Sequence, residues 1–313
     1  MNAKERTVLV DVTLRDGGYV NGHSWTVSQA KEVLVGCGKA GIPYAEVGYL
    51  RPARHIVDGS MAPSASCPPW FLEQLGDVDG CTELVVMAHA TDIVPADLSR
   101  LAEFGVRMVR MPTRPGSVKE LAPYAAAARE AGMVFSANLI RVSELSEQQV
   151  VDAAASAERN SVDIFYIADS NGSLFPEDAG RLCGLVREAT DIELGFHAHD
   201  GISMGFANAL AAMRQEFRYI DASLCGMGKG GGNLSMELIA AYLRSREGRD
   251  VSVTPLAETA ARLLTPWKGD HILAGCESIA SGILDLNMDD LKAIHDEDSH
   301  RLFSMLDGMR SAG

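Results

Sequence analysis

The stretch IELGFHAHD, residues 192–200, places two histidines at the end of a short apolar run. Side chains of a β-strand alternate between its two faces, so His197 and His199 project from the same face if this run is a strand. Two imidazoles that share a face at a strand end form half of a divalent-metal site. The pair therefore predicts metal-dependent chemistry, with a further ligand supplied from elsewhere in the chain.

Further ligand chemistry lies near the amino terminus, in the stretch DVTLRDGG, residues 11–18. This stretch also ends an apolar run, Thr7 to Val12, and it contains Arg15 and Asp16. Two strand ends that both carry polar, metal-ligating groups favour an enzyme whose site lies at one mouth of a parallel sheet.

Apolar runs and amphipathic segments alternate along most of the chain. The predicted strands are 7–12, 44–49, 83–89, 106–111, 133–138, 162–168, 192–197 and 218–223. The predicted helices lie near 26–40, 69–76, 93–104, 117–131, 146–159, 176–190, 202–215 and 232–246. Such alternation predicts an α/β protein with a parallel sheet, and eight strand–helix units are the number that closes a (β/α)8 TIM barrel. The alternative is a doubly wound open sheet that binds a nucleotide. The first turn of such a sheet is rich in glycine so that it can bind a phosphate, whereas the first turn here carries Asp16, which would repel a phosphate.

The chain divides into two predicted parts. Residues 1–250 form the TIM-barrel domain, and residues 251–313 form a helical extension that either caps the barrel or makes a subunit interface. Within the extension, helices are predicted near 255–265, 270–285 and 288–308. A long loop over residues 50–68 follows the second strand, so we expect it at the catalytic mouth, either as a lid or as a surface insertion without a role.

Composition is that of an ordinary globular protein, with 313 residues, 47% of them hydrophobic and 22% charged, and a net charge of −14. The negative charge disfavours nucleic acid and anionic membranes as partners, although a local cation can still attract an anionic substrate. No run approaches the about 18 consecutive apolar residues of a membrane span, and the first residues do not resemble a signal peptide. Six scattered cysteines are typical of reduced thiols, so we expect a cytoplasmic protein.

Asp16, His197 and His199 form a set of one carboxylate and two imidazoles, which suits a divalent ion with open positions for substrate oxygens. The alternative is that the histidines are hydrogen-bonded core residues, as a single buried histidine commonly is. A same-face pair that meets an aspartate from another strand end favours the metal site. Arg15 would bind a substrate carboxylate or stabilise an enolate oxygen, and it could pair with Glu46 at the neighbouring strand end.

Other polar residues stand at the predicted strand ends, whereas the strand bodies are apolar. The candidate substrate-binding residues are Glu46, Asn138, Asp169, Ser170, Gly228 and Asn233. The last two belong to a segment, residues 226–233, that has five glycines in eight positions. Glycines let backbone amides approach an anion, and this segment lacks the Ser or Thr that follows Gly-Lys in a Walker loop.

Five motifs occur along this chain: Asp11-x-Thr-Leu-Arg-Asp-Gly17, Glu46-Val-Gly48, Ala168-Asp-Ser170, His197-Ala-His199 and Gly226-Met-Gly228 through Asn233. In order and spacing they resemble the motifs of the DRE-TIM metallolyases. This superfamily contains hydroxymethylglutaryl-CoA lyase, isopropylmalate and homocitrate synthases, and 4-hydroxy-2-oxovalerate aldolase. The resemblance covers about residues 7–245 and is closest to the aldolase branch.

The resemblance implies a carbon–carbon lyase, a class II aldolase that cleaves or forms a bond between a pyruvate-like 2-oxo acid and an aldehyde. It implies that Asp16, His197 and His199 hold manganese or magnesium, with zinc or cobalt as alternatives. It also implies that Arg15 steadies the enolate. Two other functions stay open: an acyl-CoA-dependent Claisen synthase of the isopropylmalate or homocitrate type, and a barrel without catalysis that acts as a binding protein.

The proton-transfer group departs from the aldolase pattern. Tyr19 stands where the aldolase branch carries a histidine, so we predict Tyr19 as the acid or base, with His23, His89 and His271 as the next candidates. The aldolase branch docks an aldehyde dehydrogenase through a carboxyl-terminal region that is reduced here, so we expect no such partner. We do expect a homo-oligomer, a dimer.

Overall fold

Eight parallel strands pair in chain order and close into a barrel. The computed structural model describes residues 7–51, 62–76, 78, 82–269, 280, 284, 294 and 301–308. The strands are β1 (Val8–Asp11), β2 (Tyr44–Tyr49), β3 (Glu83–Met87), β4 (Val106–Thr113), β5 (Val134–Leu139), β6 (Ile164–Asp169), β7 (Glu193–Ala198) and β8 (Tyr219–Ala222). Strand β8 returns to pair with β1, which leaves the sheet without an edge. The prediction of a TIM barrel is confirmed.

Most of the described helices cover the outer face of the barrel, and the short first helix lies at its mouth. They are α1 (Gly18–Asn21), α2 (Val27–Ala40), α3 (Pro63–Ser66), α4 (Pro69–Gly76), α5 (Ala122–Glu130), α6 (Glu147–Arg159), α7 (Pro176–Ala189), α8 (Gly205–Arg214), α9 (Met236–Glu247), α10 (Thr254–Lys268) and α11 (Arg301–Gly308). Thr26 and Ser146 begin α2 and α6 with capping boxes, each accepting a backbone N–H three residues on. Within the described ranges, no helix is both long and apolar enough to cross a bilayer.

The predicted helix over 93–104 is wrong. Two short 3-10 turns, Pro95–Leu98 and Leu101–Phe104, occupy this segment. The Asp97 carboxylate accepts the backbone N–H of Val94 at 2.8 Å, and such local side-chain bonding competes with helix formation. The apolar spacing that suggested a helix instead anchors two turns on the barrel.

The strands are apolar on both faces because both faces are buried. Inside the barrel, Val85, Met108, Ile164 and Tyr166 form a separate apolar cluster. Strands β3 and β6 are not neighbours in the sheet, so their side chains can meet only through the interior. A second and larger core fills the space between the strands and the surrounding helices.

The part of the loop after β2 that the structure describes is packed rather than projecting. Helix α3 is buried, and Ser64 Oγ donates to the backbone carbonyl of His23 at 2.9 Å. A Cβ on Gly48, whose φ is +154°, would lie 2.0 Å from the Ser64 carbonyl oxygen. The predicted lid also includes residues 52–61, which lie outside the described residues.

The described parts of the carboxyl-terminal extension pack against barrel helices. Helix α10 contacts α2, and Asp307 of α11 accepts hydrogen bonds from Ser252 Oγ (2.6 Å) and the Val253 amide (2.9 Å). The predicted helix over 270–285 falls almost wholly outside the described residues, as does most of the one over 288–308. The domain boundary at residue 250 stays a prediction.

Gly195 of β7 generates a test of the interior packing. It lies opposite Tyr166 of β6, and a Cβ there would lie 2.4 Å from the tyrosine ring, which is fully buried. We expect Gly195→Ala to lower the free energy of unfolding by about 1–3 kcal/mol through overpacking, measured by urea denaturation. The control is Gly180→Ala in α7, where the new Cβ would make an ordinary 3.6 Å contact with Ala211 and add helix propensity. Equal stability of the two variants would contradict the packing analysis.

Candidate metal centre and active site

The carboxyl ends of β1 and β7 bring three metal-ligating side chains together at one mouth of the barrel. His197 lies in β7, His199 follows it, and Asp16 follows β1; all three are buried. Asp16 Oδ2 is 3.1 Å from Nε2 of His197 and 3.7 Å from Nε2 of His199, and the two Nε2 atoms are 3.3 Å apart. The three predicted ligands therefore share one site.

The other ring nitrogen of each histidine faces an oxygen. Nδ1 of His197 is 2.8 Å from Oδ2 of Asp221, and Nδ1 of His199 is 3.2 Å from the carbonyl oxygen of Gly232. Because a carbonyl oxygen can only accept, Nδ1 of His199 carries the proton. These partners orient both rings so that Nε2 points toward Asp16, as the outer partners of metal-ligating histidines do.

The donor set fits a divalent cation. Two imidazole nitrogens 3.3 Å apart need either a proton or a metal cation between them, because their lone pairs otherwise repel. Ligand atoms about 2.1–2.2 Å from a shared ion are separated by about 3.0–3.6 Å when they are neighbours in its coordination shell. Two of the three distances among Asp16, His197 and His199, 3.1 and 3.3 Å, lie within that range, and the third, 3.7 Å, lies just above it.

Neighbouring charges set the protonation of this cluster. Burial opposes ionisation of Asp16, but the Arg15 guanidinium and the hydrogen bond from His197 hold its pKa well below the ordinary range. Burial, together with the charge of His197, lowers the pKa of His199 to about 4. Although burial alone would lower the pKa of His197, hydrogen bonds to Asp16 and Asp221 raise it. Without a metal, a proton on His197 compensates the carboxylates, so metal binding would release that proton.

Arg15 belongs to a buried network of ion pairs. Its Nε donates to Oε2 of Glu46 at 2.6 Å, and one terminal nitrogen donates to Asp16 at 3.1 Å. The same Glu46 oxygen is 3.4 Å from Arg110, which donates to Asp221 at 2.6 Å. The other terminal nitrogen of Arg15 has no hydrogen-bond partner among the described residues, so a ligand can take it.

A cavity of about 170 Å³ lies over these groups. All eight strand ends, or the loops that follow them, contribute to its lining. This volume is below the about 300–1,000 Å³ of sites for drug-sized ligands. The cavity suits small substrates.

Two of the six predicted substrate-binding residues line this cavity, Asn138 and Ser170. Ser170 Oγ accepts the backbone N–H of Arg141 at 2.9 Å. The Asn138 amide, with its orientation assigned from its hydrogen-bond network, accepts from Arg110 at 2.7 Å and donates to Ser136 at 2.9 Å.

The other four, Glu46, Asp169, Gly228 and Asn233, support the site from outside the cavity lining. Glu46 holds Arg15, and the Asp169 carboxylate accepts two backbone N–H groups of the loop after β6, at 3.1 and 3.0 Å. A Cβ on Gly228 would lie 2.3 Å from Nδ2 of Asn233, so this glycine makes room for the asparagine side chain. Direct substrate contact by these four stays a prediction.

Tyr19 is half exposed on α1 and lines the cavity. Its hydroxyl is 2.8 Å from the hydroxyl of Tyr49, whose ring stacks on His89 at a centroid distance of 5.6 Å. The His23 ring lies edge-on to Tyr49 at 5.6 Å. Burial raises the pKa of Tyr49, which keeps its hydroxyl neutral near pH 7. His271 lies outside the described residues.

Arg110, Tyr49 and Asp221 were not predicted as site residues. A signal for Arg110 was present, because a charge inside the apolar run VRMVRM, residues 106–111, requires a buried partner. The partner could not be read from the sequence, since Asp221 is 111 residues away. Tyr49 looked like an ordinary aromatic strand residue.

The eight parallel strands form a closed barrel, and a carboxylate, two imidazoles and buried cations lie together at their carboxyl ends. This is the architecture of (β/α)8 enzymes. The family described as HMGL-like matches residues 6–262, and this chain belongs to that family. The predicted resemblance to the DRE-TIM metallolyases is thereby confirmed.

Similar proteins carry aldolase names. A 4-hydroxy-2-oxovalerate aldolase of Nocardia farcinica is 30% identical over 270 residues, which cover 85% of this chain and 77% of the relative. A second, from Rhodococcus jostii, is 29% identical over 84% of this chain and 76% of its own length.

Solved structures agree on the fold. The N-terminal domain of a Bacteroides vulgatus protein assigned as an aldolase aligns with a TM-score of 0.73 at 25% identity, over 91% of this chain and 99% of that one. Hydroxymethylglutaryl-CoA lyase from Pseudomonas aeruginosa aligns with a TM-score of 0.70 at 19% identity, over 88% of this chain and 99% of that one. At 19% identity the second likeness concerns the fold alone.

Asp11, at the end of β1, takes part in a buried hydrogen-bond chain between two turns. Its carboxylate accepts from the amide (3.1 Å) and hydroxyl (2.7 Å) of Thr13, whose hydroxyl accepts the amide of Leu224 at 2.8 Å. Asp11 thereby joins the turns after β1 and β8. Burial is the main reason that its pKa is raised to about 7.

A raised pKa means that the fold favours the protonated carboxyl. Its contribution to stability is complete below about pH 4 and is lost as the pH rises through about 7. Asparagine cannot ionise, so we expect Asp11→Asn to lose less stability than the wild type between pH 5 and 8, by at least about 1 kcal/mol. Urea denaturation across this range measures how the free energy of unfolding of each protein changes with pH. An equal change in the wild type and the variant would show that Asp11 does not titrate there.

Proposed function

We propose that this protein is a divalent-metal-dependent aldolase that forms or cleaves a carbon–carbon bond between a 2-oxo acid such as pyruvate and an aldehyde. The observation that carries the proposal is the meeting of Asp16, His197 and His199 beside Arg15, in a cavity of small volume. The relatives named 4-hydroxy-2-oxovalerate aldolase support the same reaction, because their named compound is a 2-oxo acid with a hydroxyl group at carbon 4.

The reaction makes two demands on the protein. In the cleavage direction, a base removes the proton of the 4-hydroxyl, the bond between carbons 3 and 4 breaks, and its electron pair moves through carbon 2 to the 2-oxo oxygen. Protonation of carbon 3 then gives pyruvate. The site must therefore stabilise negative charge on the 2-oxo oxygen and move a proton at the 4-hydroxyl.

Asp16, His197 and His199 would hold the divalent ion. When bound, this ion supplies Lewis-acid stabilisation of the charge that develops on the substrate. We propose manganese or magnesium, with zinc or cobalt as alternatives, because mixed imidazole and carboxylate ligands accept several of these ions. Asp221 and Gly232 keep the two imidazoles aimed at the shared position.

Arg15 would stabilise the enolate oxygen. Glu46 and Asp16 take two of its donors, which fixes the guanidinium plane before a substrate arrives. The remaining donors can then meet the developing negative charge without reorganisation, which is the main source of electrostatic catalysis. A lysine could not replace this planar fork.

Tyr19 would move the proton of the 4-hydroxyl. It lines the cavity, and its hydroxyl contacts that of Tyr49, which fixes its direction and offers a path for the proton. A phenol has a reference pKa of about 10, so transfer near neutrality requires help from neighbouring charges or an intervening water.

The two alternative functions make different demands. A Claisen synthase consumes an acyl-CoA thioester, whereas a cavity of about 170 Å³ favours two small substrates. A binding protein without catalysis would not need Arg15 held between two carboxylates beside a ligand set. Consumption of acetyl-CoA with a 2-oxo acid would identify the synthase.

The setting of the enzyme is also part of the proposal. We propose a homo-oligomer, a dimer, in which residues 251–313 cap the barrel or form the interface, and no dehydrogenase partner. We place the protein in the cytoplasm because Cys37, Cys67 and Cys183 are buried thiols, as in a reducing compartment.

Exchange of the pyruvate methyl protons in deuterium oxide tests this function, because it requires the enolate but no aldehyde. We expect exchange to stop after exhaustive chelation and to return with manganese or magnesium. His197→Ala should abolish metal retention and exchange together, whereas Asp152→Ala, which changes an exposed acid of α6, should alter neither. Full exchange by the chelated protein would refute the metal-dependent mechanism.

Tyr19→Phe separates proton transfer from enolate formation, because it keeps the ring and removes the hydroxyl. We expect aldol turnover to fall by about 10²-fold or more while pyruvate exchange persists. Tyr49→Phe removes only the partner hydroxyl and should reduce turnover less. If Tyr19→Phe turns over at nearly the wild-type rate, Tyr19 is not the acid or base.

A further inference from the structure

The cavity over the ligand set is cationic in an acidic protein. The whole chain carries a net charge of −14, yet among the described residues the lining includes three permanent cations, Arg15, Arg141 and Lys229, and one carboxylate, Asp16. Cavities lined by one sign of charge focus the field and concentrate ligands of the opposite sign. The cavity therefore favours anionic ligands more strongly than the protein surface does.

Arg15 is compensated, but Arg141 and Lys229 are largely not. Glu46 and Asp16 both pair with Arg15 at close distance. Within the described part of the chain, the carboxylate that pairs with Arg141 is the exposed Glu144 at 4.0 Å, and an exposed pair at that distance contributes little. No carboxylate of the described residues forms an ion pair with Lys229.

The backbones of both residues are nevertheless held in place. Arg141 is a non-glycine residue in the left-handed region, with φ +57° and ψ +45°, a conformation that persists only where the surroundings enforce it. Ser170 holds it by accepting its backbone N–H. The Lys229 amide is 3.4 Å from Asp16 Oδ1, and its Nζ lies 5.8 Å over the ring of Tyr19.

We propose that the acceptor aldehyde carries an anionic group, a carboxylate or a phosphate, that Lys229 and Arg141 bind at the mouth of the cavity. This inference rests on the proposed aldolase function and names the class of its second substrate. The 2-oxo acid is served by Arg15 and the ligand set at the end of β1 and β7, which leaves the two outer cations for the other substrate. The anion would also draw the aldehyde toward Tyr19, because Lys229 lies against that ring.

The experiment compares matched aldehydes in condensation with pyruvate. Butanal against 4-oxobutanoate tests a carboxylate, and glyceraldehyde against glyceraldehyde 3-phosphate tests a phosphate. We expect the anionic member of at least one pair to have the higher kcat/KM by about tenfold or more, since charge-assisted hydrogen bonds are the strong ones. The pair that shows the preference identifies the anion, and added salt should reduce the preference.

Variants assign the preference to these two residues. Lys229→Gln and Arg141→Gln should each lower the ratio of anionic to neutral kcat/KM by about fivefold to tenfold. Lys39→Gln and Arg159→Gln make the same change of charge at the ends of α2 and α6, on the opposite side of the barrel, and should leave the ratio as it is.

The outcomes separate this inference from the function on which it rests. If the wild type exchanges pyruvate protons but prefers neither anionic aldehyde, the acceptor is not anionic and the aldolase stands. If no metal supports exchange, the proposed function itself is wrong. If the two variants instead raise the KM for pyruvate in the exchange assay and leave the aldehyde preference intact, the cations bind the 2-oxo acid and the inference is overturned.

Discussion

A row of alternating buried charges underlies the active-site geometry. Arg15, Glu46, Arg110, Asp221 and His197 follow one another through the barrel mouth, with separations between 2.6 and 3.4 Å. Each isolated charge would cost several kcal/mol to bury, and only its neighbours offset that cost. The row therefore links β2, β4, β7 and β8 with the turn after β1. It fixes the guanidinium at one end and the imidazole at the other.

The metal-ligand set depends on this row at two points. Asp221 sets the direction of the His197 ring, and Arg15 keeps the Asp16 carboxylate ionised. Both are properties that a divalent ion requires of its ligands. Below this layer, the apolar cluster around Tyr166 closes the barrel interior, and the Arg110 guanidinium lies 4.3 Å over that ring. The apolar cluster and the row of buried charges are thus in contact with each other, directly beneath the cavity.

Much of the fold could be predicted because its signals are local. Alternating apolar runs and amphipathic segments predicted all eight strands, and the caps at Thr26 and Ser146 are recognisable in the chain itself. The error at 93–104 arose where a local side-chain bond outweighed helical periodicity. The periodicity of apolar residues indicates which face of a segment is buried. The choice between a helix and successive 3-10 turns depends on local hydrogen bonds, which this periodicity does not indicate.

The sequence by itself determined the ligand types and their faces, since His197 and His199 sit two residues apart at a strand end and Arg15 precedes Asp16 in the turn after another strand. Which residues support them and which reach the cavity was decided only by the tertiary structure. Asp221 and Tyr49 contact His197 and Tyr19 in the preceding strand–helix units, 24 and 30 residues away in the chain. Arg110 of β4 meets Asp221 of β8 across 111 residues, and closure of the barrel creates that contact. A strand pattern specifies the direction of a side chain relative to its own strand; the partner that it meets depends on how the strands pair and on where the barrel closes.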